Sequence, residues 1–524
     1  MNLAPMSGQV DRILSHIRAL AVDIGPRGST TQGERKGAEY CQAAFQGAGL
    51  SPVWETFASA KSIFFPHVLA SLGYLLSFAL YPLAGRLTAG IAFLLTSATL
   101  ASELLELGFI DNPLRRLTPK GESQNVHAVI PPAGEHRRDL ILIGHIDTQR
   151  TPLFFRSTRW VEVYKGFTTV AFVLFAFQCL AYLLGALFQW SWIWPATLPS
   201  MACALTLLVF FLQADLTPFT AGANDNASAV GMVLSLAEAF AHEPLAHTRV
   251  YAVCTGCEEV QHFGAIDFFR RYRAELTSPS ALVFELLGCA GPGYLTTEGI
   301  IVPFHSDPDL RARCERLSRQ NPDWGAYPVK ISGGNSELAD CVRAKVPAIT
   351  LFGLTPAGEA PYWHQVGDTA DKIDARVLGR VSAMVRALIA EIDGQDYPPL
   401  ILSRSWAMVL PGIHLRSSSS VQSPGKGHPC PPGSARSPST AKQRSAEASL
   451  EQSCPCRPED WLTAATISRK DHRPNRIAST TDSLAVMEDG HNRQPTNQQN
   501  QQTRTRQQTS TKHQFGRHHR IPAR

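Results

Sequence analysis

Apolar residues recur at helical spacing in residues 10–22, where Val10, Ile13, Ile17, Leu20 and Ala21 share one face, and the Gly25-Pro26 pair ends the run. A second helix is expected from Gln32 to Gly47, then a short strand from Pro52 to Phe57. The pattern then changes character. From Ser62 to Gly85, 24 residues carry no Asp, Glu, Lys or Arg, and after Arg86 another 16 run uncharged from Leu87 to Ser102. Gly166 to Ala214 adds 49 more, with Trp190, Trp192, Trp194 and Pro195 in the middle. Crossing the hydrocarbon core takes ~20 apolar residues, so these runs predict four membrane-spanning helices in two hairpins, the tryptophans forming an interfacial cluster. Around them the chain returns to short apolar strands, Val126 to Ile130, Leu140 to Ile143, Arg249 to Val253, Ala281 to Leu286 and Ala348 to Phe352. Helices are expected at Ala227 to Ala241 and from about Ala375 to Ile392. The alternation predicts the α/β class, a mixed twisted sheet flanked by helices and interrupted by two transmembrane hairpins. The expected divisions are a globular domain in three parts (1–61, 109–165 and 215–402), hairpins at 62–108 and 166–214, and a tail at 403–524.

Composition sharpens this division. Charged residues make up 18% of the chain, below the ~25% of ordinary soluble domains. The net charge of +5 belongs to the tail, whose 18 Lys+Arg stand against 8 Asp+Glu, leaving residues 1–402 acidic. That tail is rich in Ser, Gln, Pro, Thr and Arg, buries too little apolar surface to offset its ordering entropy, and is expected to be disordered. Its basic residues read as solvated, so no nucleic-acid partner is expected. Eleven cysteines without dense regular spacing read as free thiols. Asp11, Arg12 and Arg18 interrupt the N-terminal apolar run, so it reads as an amphipathic helix rather than a secretory signal. Lys61, Arg115, Arg116, Lys120, Arg156, Arg159 and Lys165 flank the apolar runs on the globular side, against Arg86 alone on the other. Cytoplasmic loops are enriched in such residues, which predicts an integral multi-pass protein with its globular domain on the cytoplasmic face.

Five short motifs carry candidate chemistry, three of them where a strand gives way to a loop, the place α/β folds put ligands. In GHIDT, 144–148, His145 stands as a metal ligand and Asp147 can hold its imidazole in one tautomer. In GANDNASAVGM, 222–232, Asp225 precedes a helix, where it can face two metals or simply cap the helix. In CTGCEEVQHFGA, 254–265, the carboxylates of Glu258 and Glu259 repel each other, and a cation is a reason to keep them together; one can bind metal while the other serves as general base. Glu285 ends an apolar strand in FELLGCAGPG, 284–293, and His364 lies in a loop in PYWHQVGDTADKID, 361–374. Together these residues are the donor inventory of a two-metal site bridged by one carboxylate.

In type and order these motifs resemble the zinc exopeptidases of metallopeptidase family twenty-eight, which include bacterial aminopeptidases, glutaminyl cyclases and the endoplasmic-reticulum metallopeptidases. The stretch IRALAVDIGPRGSTTQGERKGAEYC also resembles that family's N-terminal helix and loop, so the likeness runs from about residue 10 to 393, the hairpins excluded. It implies a zinc-exopeptidase fold and two zinc ions, one on His145 and Glu285, the other on Glu259 and His364, with Asp225 bridging and Glu258 as general base. It also implies a cis peptide between Asp225 and Asn226. Glu285 stands where many members have Asp, and Ser336-Glu337 replaces the family's Ser-Asp. The expected activity is hydrolysis of N-terminal peptide bonds in a peptide or aminoacyl substrate, by an enzyme held in the bilayer through four helices. The alternatives are a glutaminyl-cyclase-like acyltransferase and a non-catalytic receptor on the same fold.

Overall fold

The computed structural model describes residues 6–394; the tail expected beyond residue 403 lies outside the described residues. In chain order the elements begin with α1 (Met6–Arg18), prolonged by a wider turn at Ala19–Ile24, α2 (Gln32–Gly47), β1 (Val53–Ala60), α3 (Phe65–Leu80) and α4 (Gly85–Leu107). They continue with α5 (Pro113–Leu117), β2 (Lys120–Ile130), β3 (Arg138–His145), α6 (Thr158–Phe188), α7 (Ile193–Ala196), α8 (Leu198–Leu216), α9 (Ser228–His242) and β4 (Thr248–Thr255). The remainder is α10 (Phe263–Tyr272), β5 (Ser280–Glu285), β6 (Gly293–Glu298), β7 (Phe304–His305), α11 (Pro308–Gln320), β8 (Tyr327–Lys330), α12 (Leu338–Arg343), β9 (Ala348–Phe352) and α13 (Ala375–Asp393).

The strands form one mixed sheet in the order β1-β2-β4-β3-β5-β9-β6-β7, with β8 pairing β6. Its centre is parallel: β3 pairs β4 from Arg138↔Thr248 to His145↔Thr255 and β5 from Leu140↔Ser280 to Ile143↔Val283, and β5 pairs β9. These strands are buried on both faces, which explains their unbroken apolar sequences. Alternate residues still divide between two cores: Leu140 and Leu142 pack with α1, α9 and α13, whereas Ile141 and Ile143 pack with Phe268 of α10 and Leu338 of α12. This is the α/β architecture the pattern predicts. Local chemistry agrees at the helix starts, where Thr31 accepts the Glu34 N–H and the Glu34 carboxylate accepts the Thr30 N–H.

The apolar segments form two helical hairpins, α3 with α4 and α6 with α8, but the lengths differ from expectation. Three helices, α4, α6 and α8, are long and apolar enough to cross a membrane. The fourth, α3, has only 16 residues, bracketed by Pro66 and Pro82, and at ~1.5 Å per residue is shorter than a ~30 Å hydrocarbon core. Conversely α4, expected as the shortest run, reaches 23 residues because its last turns carry Glu103 and Glu106, which pair with His67 and Arg115, each at 3.0 Å. All eight cysteines among the described residues are free, as expected, and Cys254 and Cys257 are buried and unbridged.

Candidate metal centre

Because β3, β4 and β5 run parallel, their C-terminal ends meet at one edge of the sheet. His145 is the last residue of β3 and Glu285 the last of β5, while Glu258 and Glu259 lie just beyond β4. Asp225 arrives from the turn before α9, and His364 from the loop between β9 and α13. All five expected ligands and both expected catalytic residues, Glu258 and Asp147, are thus brought together, each less than a tenth exposed.

Asp225 lies between the two histidines. Its Oδ1 is 3.4 Å from His145 Nε2 and its Oδ2 is 3.4 Å from His364 Nε2. On one side Glu285 Oε2 is 3.5 Å from His145 Nε2; on the other Glu259 Oε2 is 3.2 Å from His364 Nε2. Two three-residue groups suited to a cation, His145-Asp225-Glu285 and Asp225-Glu259-His364, therefore share one carboxylate; a third combines His145 with Glu258 and Glu259. Burial drives the carboxyls of Glu259 and Glu285 up, to about 7 and about 8, with the nearby imidazoles opposing it. Burial alone depresses His364, yet Glu259 and Asp225 carry it to about 10. Glu259 Oε1, Glu285 Oε1 and His364 Nδ1 are buried without hydrogen-bond partners. Crowded, mutually charged donors with unused lone pairs are the environment a metal ion satisfies, so the residues fit the group.

A second layer of contacts fixes these donors. His145 Nδ1 donates to the Asp147 carbonyl oxygen at 3.1 Å, which leaves Nε2 as the free lone pair. The Asp147 carboxylate, expected to hold that imidazole, stands 3.5 Å from Nδ1 and instead accepts the backbone N–H groups of Glu258 and Glu259 and the Ser29 hydroxyl. Its geometry is that of a clamp on the adjacent glutamates. Asp368 accepts the N–H groups of Asn224 and Asp225 at 2.7 and 3.0 Å, and Asn226 donates to Glu285 Oε2 at 2.8 Å. The Asp225–Asn226 peptide is cis, as the resemblance implies. Gly222 has φ +62°, and a Cβ there would stand 2.2 Å from Thr148 Cγ2, so the turn into Asp225 requires glycine.

Several contributors have no motif of their own. Arg27, wholly buried, donates to the carbonyls of Leu20, Gly25, Ile146, Ala221 and Gly222, tying the N-terminal loop to both ligand-bearing turns. Burial draws its guanidinium down to about 10, still charged at neutral pH. His262 joins Glu258 to Asp340: its Nε2 is 3.1 Å from Glu258 Oε1 and its Nδ1 2.6 Å from Asp340 Oδ2. Burial works against the imidazolium, but the two carboxylates hold His262 well above its ordinary value. Glu337 is fully buried, does not line the cavity over the site, and is pushed up to about 8 by that burial.

Comparison with known proteins bears on the same residues. Residues 207–389 match peptidase family M28. The match takes in Asp225, Glu258, Glu259, Glu285 and His364; His145 and Asp147 lie before it, supplied by β3 to the same cluster. No curated protein matches the chain. Among solved structures it is similar to a glutaminyl cyclase of Fimbriiglobus ruber, at 16% identity over 74% of this chain and 97% of that one, TM-score 0.44. A leucine aminopeptidase precursor from Bacteroides thetaiotaomicron shows 12% identity over 73% of this chain and 96% of its own, TM-score 0.44. A zinc aminopeptidase from Bacillus subtilis shows 13% identity over 73% and 95%, TM-score 0.44.

Proposed function

We propose that this chain is a membrane-bound zinc exopeptidase, an aminopeptidase that removes the N-terminal residue of a peptide. The observation that carries the reading is Asp225, with one oxygen toward His145 and the other toward His364. Two zinc ions, held by His145, Asp225 and Glu285 and by Asp225, Glu259 and His364, would supply Lewis acidity toward water and the scissile carbonyl. Glu258 accepts the proton of the attacking water and returns it to the leaving amine as the C–N bond breaks, releasing an amino acid and a shortened peptide. His262 orients that carboxylate from behind, and Asp147 fixes its backbone. The neighbouring carboxylates suit the positive charge of a free α-amino group.

Membrane attachment is part of the proposal. Leu87, Ile91 and Leu94 on α4, Val170, Val173, Leu180 and Leu187 on α6, and Leu205, Val209 and Leu212 on α8 are all exposed large apolar side chains. A belt of that kind is suited to lipid. The basic residues of the globular side favour a cytoplasmic catalytic domain.

The test is hydrolysis of aminoacyl chromogenic amides by detergent-purified protein, with chelator and zinc add-back, beside Glu258→Gln. Chelator-sensitive release that the variant loses is expected. Cyclisation of N-terminal glutamine without amide hydrolysis would replace this reading with the acyltransferase.

A further inference from the structure

The metal centre lines a cavity of about 1110 Å³, above the ~300–1000 Å³ of most small-molecule sites, whose walls continue between α3, α4, α6 and α8. Its walls include the polar residues Glu162, Lys165, Lys330, Asn335 and Gln365. An aromatic track leads away from His364 along the apolar part of the walls. Phe155 lies edge-on to His364 at 4.6 Å, Phe154 follows Phe155 at 4.9 Å and Phe64 follows Phe154 at 6.0 Å. Phe211 continues from Phe64 at 6.4 Å and meets His67 at 5.0 Å. From His67 to Tyr74, both lining the cavity, is about 10 Å along α3, room for roughly three residues of extended chain.

This inner arm is not uniformly greasy. His67 and Glu103, paired at 3.0 Å, line it, as do Ser71 and Tyr74. The Tyr74 hydroxyl is buried and has no hydrogen-bond partner, with its ring stacked on Phe175 at 3.8 Å. His67, Glu103 and Ser71 already have partners, but an acyl chain, with no polar groups along its length, would give the Tyr74 hydroxyl nothing in return for its desolvation. A peptide carries polar groups at every residue.

We propose that the substrate is a peptide whose residues after the first bond are apolar, and that this stretch occupies the passage between α3, α4, α6 and α8 while the N-terminal residue lies at the Asp225 cluster. The inference rests on the exopeptidase reading for which end of the peptide sits at the metals. It assigns the helices a part in recognition as well as anchoring. Specificity then lies several residues beyond the cleaved bond, in segments of the composition of membrane spans.

The experiment uses the zinc-loaded full chain carrying Glu258→Gln, which retains uncleaved peptide, and a Leu/Ala/Phe decapeptide with a free N-terminus and benzoylphenylalanine at its fifth residue. Photo-adducts mapped by mass spectrometry are expected on α3, α4, α6 or α8. Unlabelled apolar peptide is expected to suppress them at about one tenth or less of the concentration needed of a Ser/Gln peptide of equal length, since one buried large apolar side chain is worth about tenfold. Adducts elsewhere, or equal suppression by the polar peptide, overturn the assignment; suppression by an N-acyl amino acid but by neither peptide replaces it with a lipid amide. If adducts fall on the helices while the wild-type chain releases no N-terminal residue from either peptide, the passage stands and the exopeptidase reading falls.

Discussion

His262 Nε2 stands 3.1 Å from Glu258 Oε1, with Asp340 closing the far side of the imidazole at 2.6 Å. A carboxylate that must accept and return a proton needs a fixed direction, and this buried pair supplies it. His262 acts on Glu258 through its contact with that carboxylate, and Asp340 through His262, so both are positioning residues. His262→Ala is expected to lower kcat by about 10- to 100-fold with KM little changed and zinc content intact, and His262→Gln, which can still donate, to recover part of the loss. Steady-state kinetics with metal analysis check this; a parallel loss of zinc would mean that the residue only supports the fold.

Asp225 predicts the metal stoichiometry. Removing the carboxylate shared by two donor groups strikes both, whereas Glu285 belongs to one of them. Asp225→Ala is expected to abolish turnover, by more than about a hundredfold, and to lose most bound zinc, while Glu285→Ala keeps about one ion. Elemental analysis of purified protein decides; wild-type zinc content in Asp225→Ala would remove Asp225 from the bridging position.

How much of this could be read beforehand depends on whether the signal was local. The central strands β3, β4, β5 and β9 were legible because buried parallel strands need continuous apolar runs, and two candidate ligands, His145 and Glu285, stood out as polar residues ending such runs. Short strands β6, β7 and β8, rich in Thr, Tyr and Lys, carry no such pattern. Helix α11 carries one, with Leu310, Cys314 and Leu317 on one face and Asp307 with Pro308 at its start, though most of its other residues are charged. The pairing of His262 with Asp340, and the five carbonyls gathered by Arg27, have no spacing rule at all. They exist only once distant segments pack. For α3 the count of uncharged residues misled, because Pro66 and Pro82 set the helix length rather than the charges.

Arg27 predicts a stability effect without chemistry at the metals. Its guanidinium serves five carbonyl oxygens in a wholly buried setting, and truncation would leave them unsatisfied. Arg27→Ala is expected to destabilise the chain by about 3 kcal/mol or more, and Arg27→Lys to rescue little, because one ammonium cannot span both loops. Chemical denaturation in detergent measures it; wild-type stability in Arg27→Lys would show that charge alone suffices.

Glu298 gives a pH dependence. Burial raises its carboxyl from about 4.5 to about 8, although Ser336 donates to it through both N–H and Oγ. Between those values the folded chain keeps a proton that the unfolded chain has released, so this group's contribution to stability falls as pH rises through the window. Glutamine stays neutral and can accept the same bonds. The Tm of Glu298→Gln minus that of wild type should therefore grow more positive from pH 5 to pH 8, and a flat difference would contradict the buried, protonated state.

The membrane orientation can be tested at two positions. Gly85 approaches Gln189, its ideal Cβ 3.3 Å from the side-chain oxygen, so Arg86 lies beside the chain entering Trp190, Trp192 and Trp194, at the end of both hairpins remote from the metal centre. Lys165, in the first turns of α6, lines the cavity over that centre. The charge bias places the Lys165 end in the cytoplasm, and tryptophans gathered near Arg86 are the side chains that favour an interface. In intact cells a membrane-impermeant maleimide should label Arg86→Cys above the background of the native cysteines, and Lys165→Cys only after permeabilisation. The reverse pattern would turn the catalytic domain outward. It would leave the metal chemistry untouched and change which peptides can reach it.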